Sequence, residues 1–289
     1  MTLMTQEASA AIREVVESAK ASGPAFEHED LAFFADAMRR RAGIVLPDAK
    51  AALVFRRLAP RVRQLGLSSF AQYRERLWNP DDAEWDHVVG QLTTNHSHFF
   101  REIHHFKLLS KHLSELIEPG PCRIRVWSAA CAAGQEPFSM AMLLAHLLAR
   151  RQDVDARVLA TDVDRSILTA AEIGRYTPED LGRLPRFARP FVRQQADGTS
   201  TVVGAPRDLV SFKFHNLVGA DWPMRGPFDA IFCRNVLIYM SRADQARVID
   251  RLARLLKVGG ILCLGHSEVA RGASALIQRV EAPSSYVRI

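Results

Sequence analysis

The stretch Arg125-Val126-Trp127-Ser128-Ala129-Ala130-Cys131-Ala132-Ala133-Gly134-Gln135-Glu136-Pro137-Phe138-Ser139 decides the fold class of this chain. Ile124–Trp127 is a short apolar run, a loop of small residues follows, and helical spacing starts near Pro137 and continues to Arg151. The same unit recurs. Val158–Ala160 runs into Thr161-Asp162 and a helix from Ser166 to Ile173. Phe228–Cys233 precedes a helix opening at Ser241, with Asp244 three residues on as a capping box. That helix puts Val248, Ile249, Leu252, Leu255 and Leu256 on one face and stops at Val258-Gly259-Gly260, after which Ile261–Leu264 reads as another strand. Strands alternating with helices predict a mostly parallel sheet covered on both faces.

Working outward, residues 185–215 break the alternation. Two β-rich runs, Thr201–Val203 and Leu209–Phe214, flank turn signals at Asp197-Gly198 and Gly204-Ala205-Pro206, and predict a small antiparallel excursion. Ile277–Val280 and Tyr286–Ile289, around Pro283-Ser284-Ser285, read as a closing hairpin. Upstream, Pro119-Gly120-Pro121 is a strong stop that ends a helical stretch over 86–118. Before it, Leu31–Phe34–Met38 and Leu53–Leu58–Val62 recur at helical spacing, broken at Gly43, Pro47, Pro60, Gly66 and Asn79-Pro80. The first residues, to Gly23, read as a loose amphipathic arm.

Composition excludes several classes. With 289 residues, 48% hydrophobic and 24% charged, the chain is globular and can bury a large core without staples. Its four cysteines, Cys122, Cys131, Cys233 and Cys263, form no C-x-x-C pair, which fits a reducing, cytoplasmic setting. No apolar signal core occupies the first residues, and the longest helical apolar stretch, Met140–Ala149, is too short to span a bilayer, so no membrane insertion is expected. The formal net charge is +6, and one segment accounts for it: Asp36–Arg76 holds ten basic and three acidic residues. Such a segment reads either as a docking face for an acidic partner or as a solvated arginine-rich helical face.

In an open parallel sheet, ligands sit beyond the carboxyl ends of the strands. The first such slot, Ser128 to Glu136, lacks the G-x-G-x-x-G of a dinucleotide site. Small residues let a ligand approach the backbone. The missing glycines suit one without a diphosphate, such as S-adenosyl-L-methionine, although a plain tight turn reads equally well. Asp162 ends the second strand and can accept hydrogen bonds from both ribose hydroxyls, or cap the next helix. The third slot, Arg234-Asn235-Val236-Leu237-Ile238-Tyr239, has no Asp/Asn-Pro-Pro-aromatic motif, and the single Pro-Cys, Pro121-Cys122, lies at the wrong end of a strand. Base-modifying chemistry therefore loses ground. His96, His98, His104, His105 and His112 have no carboxylate or cysteine at a familiar ligand spacing, so packing and hydrogen bonding, with no metal, is the expectation.

Five motifs in register resemble the chemotaxis receptor methyltransferases (the CheR family). They are Thr93-Thr94-Asn95-His96-Ser97-His98-Phe99-Phe100-Arg101-Glu102 with His104-His105-Phe106, the opening stretch to Ser139, Ala160-Thr161-Asp162-Val163-Asp164, Phe228 through Tyr239, and Gly265-His266-Ser267-Glu268. The resemblance implies a class I methyltransferase fold, Rossmann-like and seven-stranded, with a small antiparallel β-subdomain and a preceding all-α domain. It implies that Asn95, Ser97 and Arg101 line the cofactor site, that Glu136 meets the methionyl ammonium and Asp162 the ribose, and that Asn216 and Leu217 flank the adenine. Arg234 and Asn235 complete the pocket, with Arg101 and Tyr239 nearest the transferred methyl. His96-Ser97, Gln135 and Phe138 depart from the family pattern without removing a group the chemistry requires.

The expected division is an arm over 1–24, a helical domain over 25–90, a linker helix over 91–118 and a methyltransferase domain over 119–289, with the β-subdomain at 185–215. The implied reaction methylates glutamate side chains on the cytoplasmic helices of methyl-accepting chemotaxis receptors and leaves S-adenosyl-L-homocysteine. Nucleic acid is not an expected partner. A receptor C-terminal peptide adding to the β-subdomain edge is a further contact the resemblance allows. The rival readings are a methyltransferase of RNA or a small molecule, and a non-catalytic cofactor-binding adaptor.

Overall fold

The computed structural model describes residues 23–270 and 275–289; the expected N-terminal arm lies, up to residue 22, outside them. The described chain divides into two compact units. One runs to Thr94 and includes Tyr239–Ser241, and the other comprises Asn95–Ile238 and Arg242–Ile289.

The first unit is helical: α1 (His28–Ala42), α2 (Ala51–Gln64), α3 (Phe70–Arg76) and α4 (Glu84–Leu92). The α1 helix starts where the Glu27 N–H donates to Asp30 at 2.7 Å and ends where Gly43 turns left-handed at φ 72°. Phe26, Leu31, Phe34, Met38, Val54, Leu58, Val62, Phe70 and Tyr73 fill the core. A buried polar network crosses three helices. Arg61 grips Glu84 with both fork nitrogens, at 2.8 and 2.7 Å, and the Tyr73 hydroxyl donates to the same carboxylate at 2.7 Å.

That packing divides the basic segment. Arg61 is held by Glu84, Arg74 pairs with the buried Asp30 at 2.7 Å, Arg57 donates to the Thr93 carbonyl at 2.8 Å, and Arg41 lies 4.1 Å over the Trp85 ring. The solvated set is Arg39, Arg40, Lys50, Arg56, Arg63 and Arg76.

The second unit opens with α5 (Ile103–Ile117) and then builds β1 (Cys122–Ser128), α6 (Gln135–Leu147), β2 (Val154–Asp162) and α7 (Arg165–Ile173). An excursion follows: β3 (Arg175–Tyr176), β4 (Val192–Gln194), β5 (Ser200–Val202) and the short α8 (Ala205–Leu209). The chain then returns through β6 (Val210–Phe214), β7 (Phe228–Cys233), α9 (Arg242–Leu255), β8 (Leu256–Leu264), β9 (Ile277–Arg279) and β10 (Ser285–Arg288). The large sheet has seven strands in the order β6-β2-β1-β7-β8-β10-β9, and a three-stranded sheet has the order β3-β5-β4. Pairings from β6 to β8 are parallel; β10 runs antiparallel to both β8 and β9. Every residue of β7 is buried, as expected of a central strand covered on both faces. Trp127 is fully buried on β1, its indole N–H donating to the Thr161 hydroxyl at 3.0 Å.

Three elements differ from the sequence reading. Leu209–Phe214 does not belong to the antiparallel excursion: Val210–Phe214 pairs in parallel with β2, Val210 opposite Val158. The small sheet instead recruits Arg175–Tyr176, and it is antiparallel. The 86–118 stretch is two helices, because Thr93 ends α4 in extended backbone and α5 begins only at Ile103. Leu256 starts a strand instead of extending α9: it lies opposite Phe228 of β7, and after an irregularity over Lys257–Gly260 the pairing resumes at Ile261 opposite Ala230.

Candidate active site

The strand order reverses at the β1/β7 boundary: the chain leaves β1 toward β2 and β6, then crosses back to β7. A crevice at the carboxyl ends of β1 and β7 is the geometric consequence. Of the residues expected there, Glu136, Asp162, Asn216, Leu217, Arg234 and Asn235 follow strands of this sheet, and Asn95, Ser97 and Arg101 lie in the segment before α5.

Glu136 sits in the first turn of α6, buried, after Gly134 takes φ 91° to enter the helix. No side chain fits at that glycine, because a Cβ would lie 2.9 Å from the Tyr176 hydroxyl. The Ser128 hydroxyl donates to one Glu136 oxygen at 2.7 Å, and Arg234 donates to the other at 3.0 Å. Burial pushes the Glu136 carboxyl above its usual range, against the pull of Arg234. Arg234, its side chain 1% exposed, is a hub. It also donates to the Arg101 carbonyl at 2.5 Å and lies 3.3 Å from Glu102.

Asp162 ends β2. One of its oxygens accepts the Ala132 N–H at 2.9 Å and the other the Asp164 N–H at 3.1 Å. Burial raises its pKa, which those two donors partly restrain. Each oxygen keeps lone-pair capacity for a further donor. The helix-capping role belongs to Asp164, which accepts the Ser166 and Ile167 N–H groups. The Asn95 amide donates to Asp164 at 2.7 Å, fastening the segment before α5 to this rim.

Asn216 and Leu217 lie just beyond β6. The His215 N–H donates to the Asp162 carbonyl at 3.0 Å, and the Asn216 side chain accepts the Val218 N–H at 3.1 Å. Leu217 is buried. Ser97 is half-buried in the same segment as Arg101. Arg101 donates to the His96 carbonyl at 3.0 Å and keeps 26% of its side chain exposed. Tyr239 belongs with the first unit, where its carbonyl accepts the Val45 N–H at 2.8 Å. It is not among the residues the second unit itself brings together.

The structure adds residues to which the sequence reading gave no role. Glu268 is buried and organises the loop after β7: it accepts N–H groups from Gly265 at 2.6 Å, Asn235 at 2.9 Å and Ile238 at 3.2 Å. Its motif, Gly265-His266-Ser267-Glu268, is visible in the sequence; its three partners are not. Four non-glycine residues of the rim have positive φ: Phe100 at 52°, Glu102 at 57°, Ala132 at 47° and Asn235 at 58°. Such strain collects at functional sites. Two of the four flank Arg101.

Family models match this architecture. "CheR methyltransferase, SAM binding domain" matches residues 95–286, and "CheR methyltransferase, all-alpha domain" matches residues 29–93. The chain belongs to the CheR methyltransferase family. It is 42% identical over 238 residues to a chemotaxis protein methyltransferase of Klebsiella aerogenes, covering 79% of each chain. It is 38% identical to chemotaxis protein methyltransferase 2 of Pseudomonas aeruginosa, covering 88% of this chain and 91% of that one. To the chemotaxis protein methyltransferase of Escherichia coli it is 41% identical, over 79% of this chain and 80% of that one. As a CheR methyltransferase it uses S-adenosylmethionine as methyl donor, in chemotaxis. The residues of the rim fit that donor: a buried carboxylate for an ammonium, and a second carboxylate with free lone pairs for ribose hydroxyls. Among the described residues no helix is long and apolar enough to cross a membrane.

Proposed function

We propose that this chain transfers the methyl group of S-adenosylmethionine to the γ-carboxylate of glutamate side chains on the cytoplasmic helices of chemoreceptors, giving methyl esters. The observation that carries the reading is Arg101. Its guanidinium is partly exposed at the rim, while its own carbonyl is bound to the Arg234 that grips Glu136. The donor-side carboxylate and the acceptor-side cation are thus tied through one buried arginine.

The roles follow from the groups. Glu136 holds the donor's ammonium, whose arrival offsets the burial that raises its pKa. Asp162 takes the ribose hydroxyls. Asn216 and Leu217 flank the adenine, and Asn95, Ser97, Arg234 and Asn235 close the rest of the pocket. The donor supplies an activated methyl on a sulfonium. A glutamate carboxylate is ionised at pH 7, so no general base is required. What remains is alignment and removal of water. Arg101 orients the incoming carboxylate through charge-assisted hydrogen bonds, and Tyr239 assists at the methyl. In this reading the 25–90 segment is the docking domain, 91–118 the link and 119–289 the catalytic domain. The solvated arginines Arg39, Arg40, Arg56, Arg63 and Arg76 meet the glutamate-rich receptor helix, and the 185–215 region is where a receptor tail would add a strand.

Mass spectrometry of chemoreceptor cytoplasmic fragments after incubation with enzyme and donor tests the substrate class. The expected result is a methylene mass gain confined to peptides at glutamate positions. Gain on lysine, or on no receptor peptide at all, overturns the reading.

A further inference from the structure

Beside the Arg101 carbonyl lies a second cluster, joined to the site above through the Arg234–Glu102 contact, whose two histidines were given no role there. Glu102 Oε, His104 and His105 present donor atoms that all lie within 4.8 Å of one another. His104 Nε2 and His105 Nδ1 are buried without a hydrogen bond, while the Glu102 carboxylate is approached by the His266 backbone N–H and by Arg234. The His105 side chain is fully buried.

We propose that Glu102, His104 and His105 form a binding site for a divalent transition-metal ion of the zinc class. His105 Nε2 lies 3.0 Å from the Pro283 carbonyl, and His105 Nδ1 lies 3.3 Å from Glu102 Oε2. Both neighbours are acceptors. A neutral imidazole carries one proton and can serve only one of them. With the proton on Nε2 for Pro283, the Nδ1 lone pair faces a carboxylate. Two acceptors then meet in a buried place, beside the unpartnered His104 Nε2.

A metal ion resolves the conflict. An imidazole bound through one nitrogen characteristically donates its other N–H to a backbone carbonyl, which fixes ring and tautomer. The Pro283 contact supplies that outer bond. One carboxylate oxygen and two imidazole nitrogens suit zinc, with ligands about 2.0–2.2 Å from the ion and so roughly 3.4 Å from each other in a tetrahedron. The Glu102–His105 pair is already at 3.3 Å. His104 and His105 rings stand 4.2 Å apart at 57°, so closing the set needs a modest rotation of His104. His266 Nδ1, 3.5 Å from Glu102 Oε1 on a 70% exposed side chain, is the group available for the fourth position.

The surroundings set the strength. Arg234 Nη2 is 3.3 Å from Glu102 Oε2 and Arg101 Nε is 4.0 Å from Oε1. Arg234 is neutralised in part by Glu136. These guanidiniums oppose a cation, so the site is weaker than a closed structural zinc centre. The left-handed backbone at Glu102, φ 57° and ψ 65°, turns its side chain back over the start of α5 toward the two histidines. The E-x-H-H spacing carries no ligand signature in the sequence, and this turn is what assembles the donors.

The test is a cobalt(II) titration of the full, tag-free chain followed by visible absorption. The expected result is one equivalent bound with the intense bands of four-coordinate cobalt, displaced by zinc. His104→Ala and Glu102→Gln should each loosen binding by about 10–100-fold, whereas His87→Ala, in the helical unit, should leave it unchanged. A weak six-coordinate spectrum, or wild-type affinity in both variants, overturns the site. Zinc X-ray absorption of the unaltered chain needs no variant: two imidazoles with light-atom neighbours support it, and sulfur ligands or fewer than two imidazoles reject it.

Discussion

Glu136→Gln separates binding from stability, because the two should move in opposite directions. Glutamine keeps the shape and both local bonds: its carbonyl can accept from Arg234, and its amide can donate to the Ser128 hydroxyl, which reorients to accept. What disappears is a buried charge. The Glu136 pKa is raised in the folded state, chiefly by burial. The sign follows. A carboxyl with a raised folded pKa adds stability below its unfolded value, and that stability is lost as pH rises through the folded value. At pH 7 a carboxyl whose folded pKa is raised therefore costs folding energy, and its replacement by the neutral amide should leave the ligand-free protein as stable or more so. Binding should suffer. A hydrogen bond to a charged partner contributes about 1.5–3 kcal/mol, so affinity for S-adenosylhomocysteine should fall by roughly 10–150-fold. Calorimetric titration with the product and urea unfolding without ligand give the two numbers. Product binding within twofold of wild type would refute the assignment of Glu136 to the ammonium, and a large loss of ligand-free stability would refute the charge argument.

Arg101→Ala should cut the turnover number by about 10–150-fold, the worth of one charge-assisted anchor, with little change in the unfolding midpoint because the side chain is partly exposed; turnover near wild type would count against its role. At Gly265 a Cβ would lie 2.6 Å from the Asn235 amide and 2.7 Å from Glu268. Gly265→Ala is therefore expected to cost roughly 1–3 kcal/mol of overpacking strain and to disorder the loop after β7, read by urea unfolding and product binding together. His215 packs on Trp127 and Trp222, and burial, assisted by Arg251, pushes its pKa from 6.5 down to about 4. A histidine held neutral in the fold gives up stability as pH falls from about 6.5 to about 4, since the unfolded chain binds the proton first. His215→Phe should flatten the stability–pH curve in that window, and an unchanged slope would disprove the cause.

Much of this site was legible because its parts sit at strand ends. Asp162 closes an apolar run, so position nominated it for the ribose; Glu136 and Arg234 lie in slots that position marks, but their roles came with the family resemblance. The alternation of runs also placed the central strands. Other features needed the third dimension. Thr201–Val203 and Leu209–Phe214 have the same β-rich texture, and nothing local says that one pairs in a small antiparallel sheet while the other lies parallel beside Val154–Asp162. The arginine-rich segment could not reveal that Arg57, Arg61 and Arg74 turn inward, because Thr93, Glu84 and Asp30 are distant along the chain. The three bonds of Glu268 and the left-handed turns at Phe100, Glu102, Ala132 and Asn235 are set by tertiary contacts, which propensity does not encode.

The central claim is esterification of receptor glutamates. It is tested most directly by incubating the protein with S-adenosylmethionine labelled in its methyl group and chemoreceptor-containing membranes, then treating the labelled receptor with mild alkali. A carboxyl methyl ester predicts release of the label as volatile methanol. Label that stays on the receptor through alkali, or that appears in RNA instead, would contradict the account.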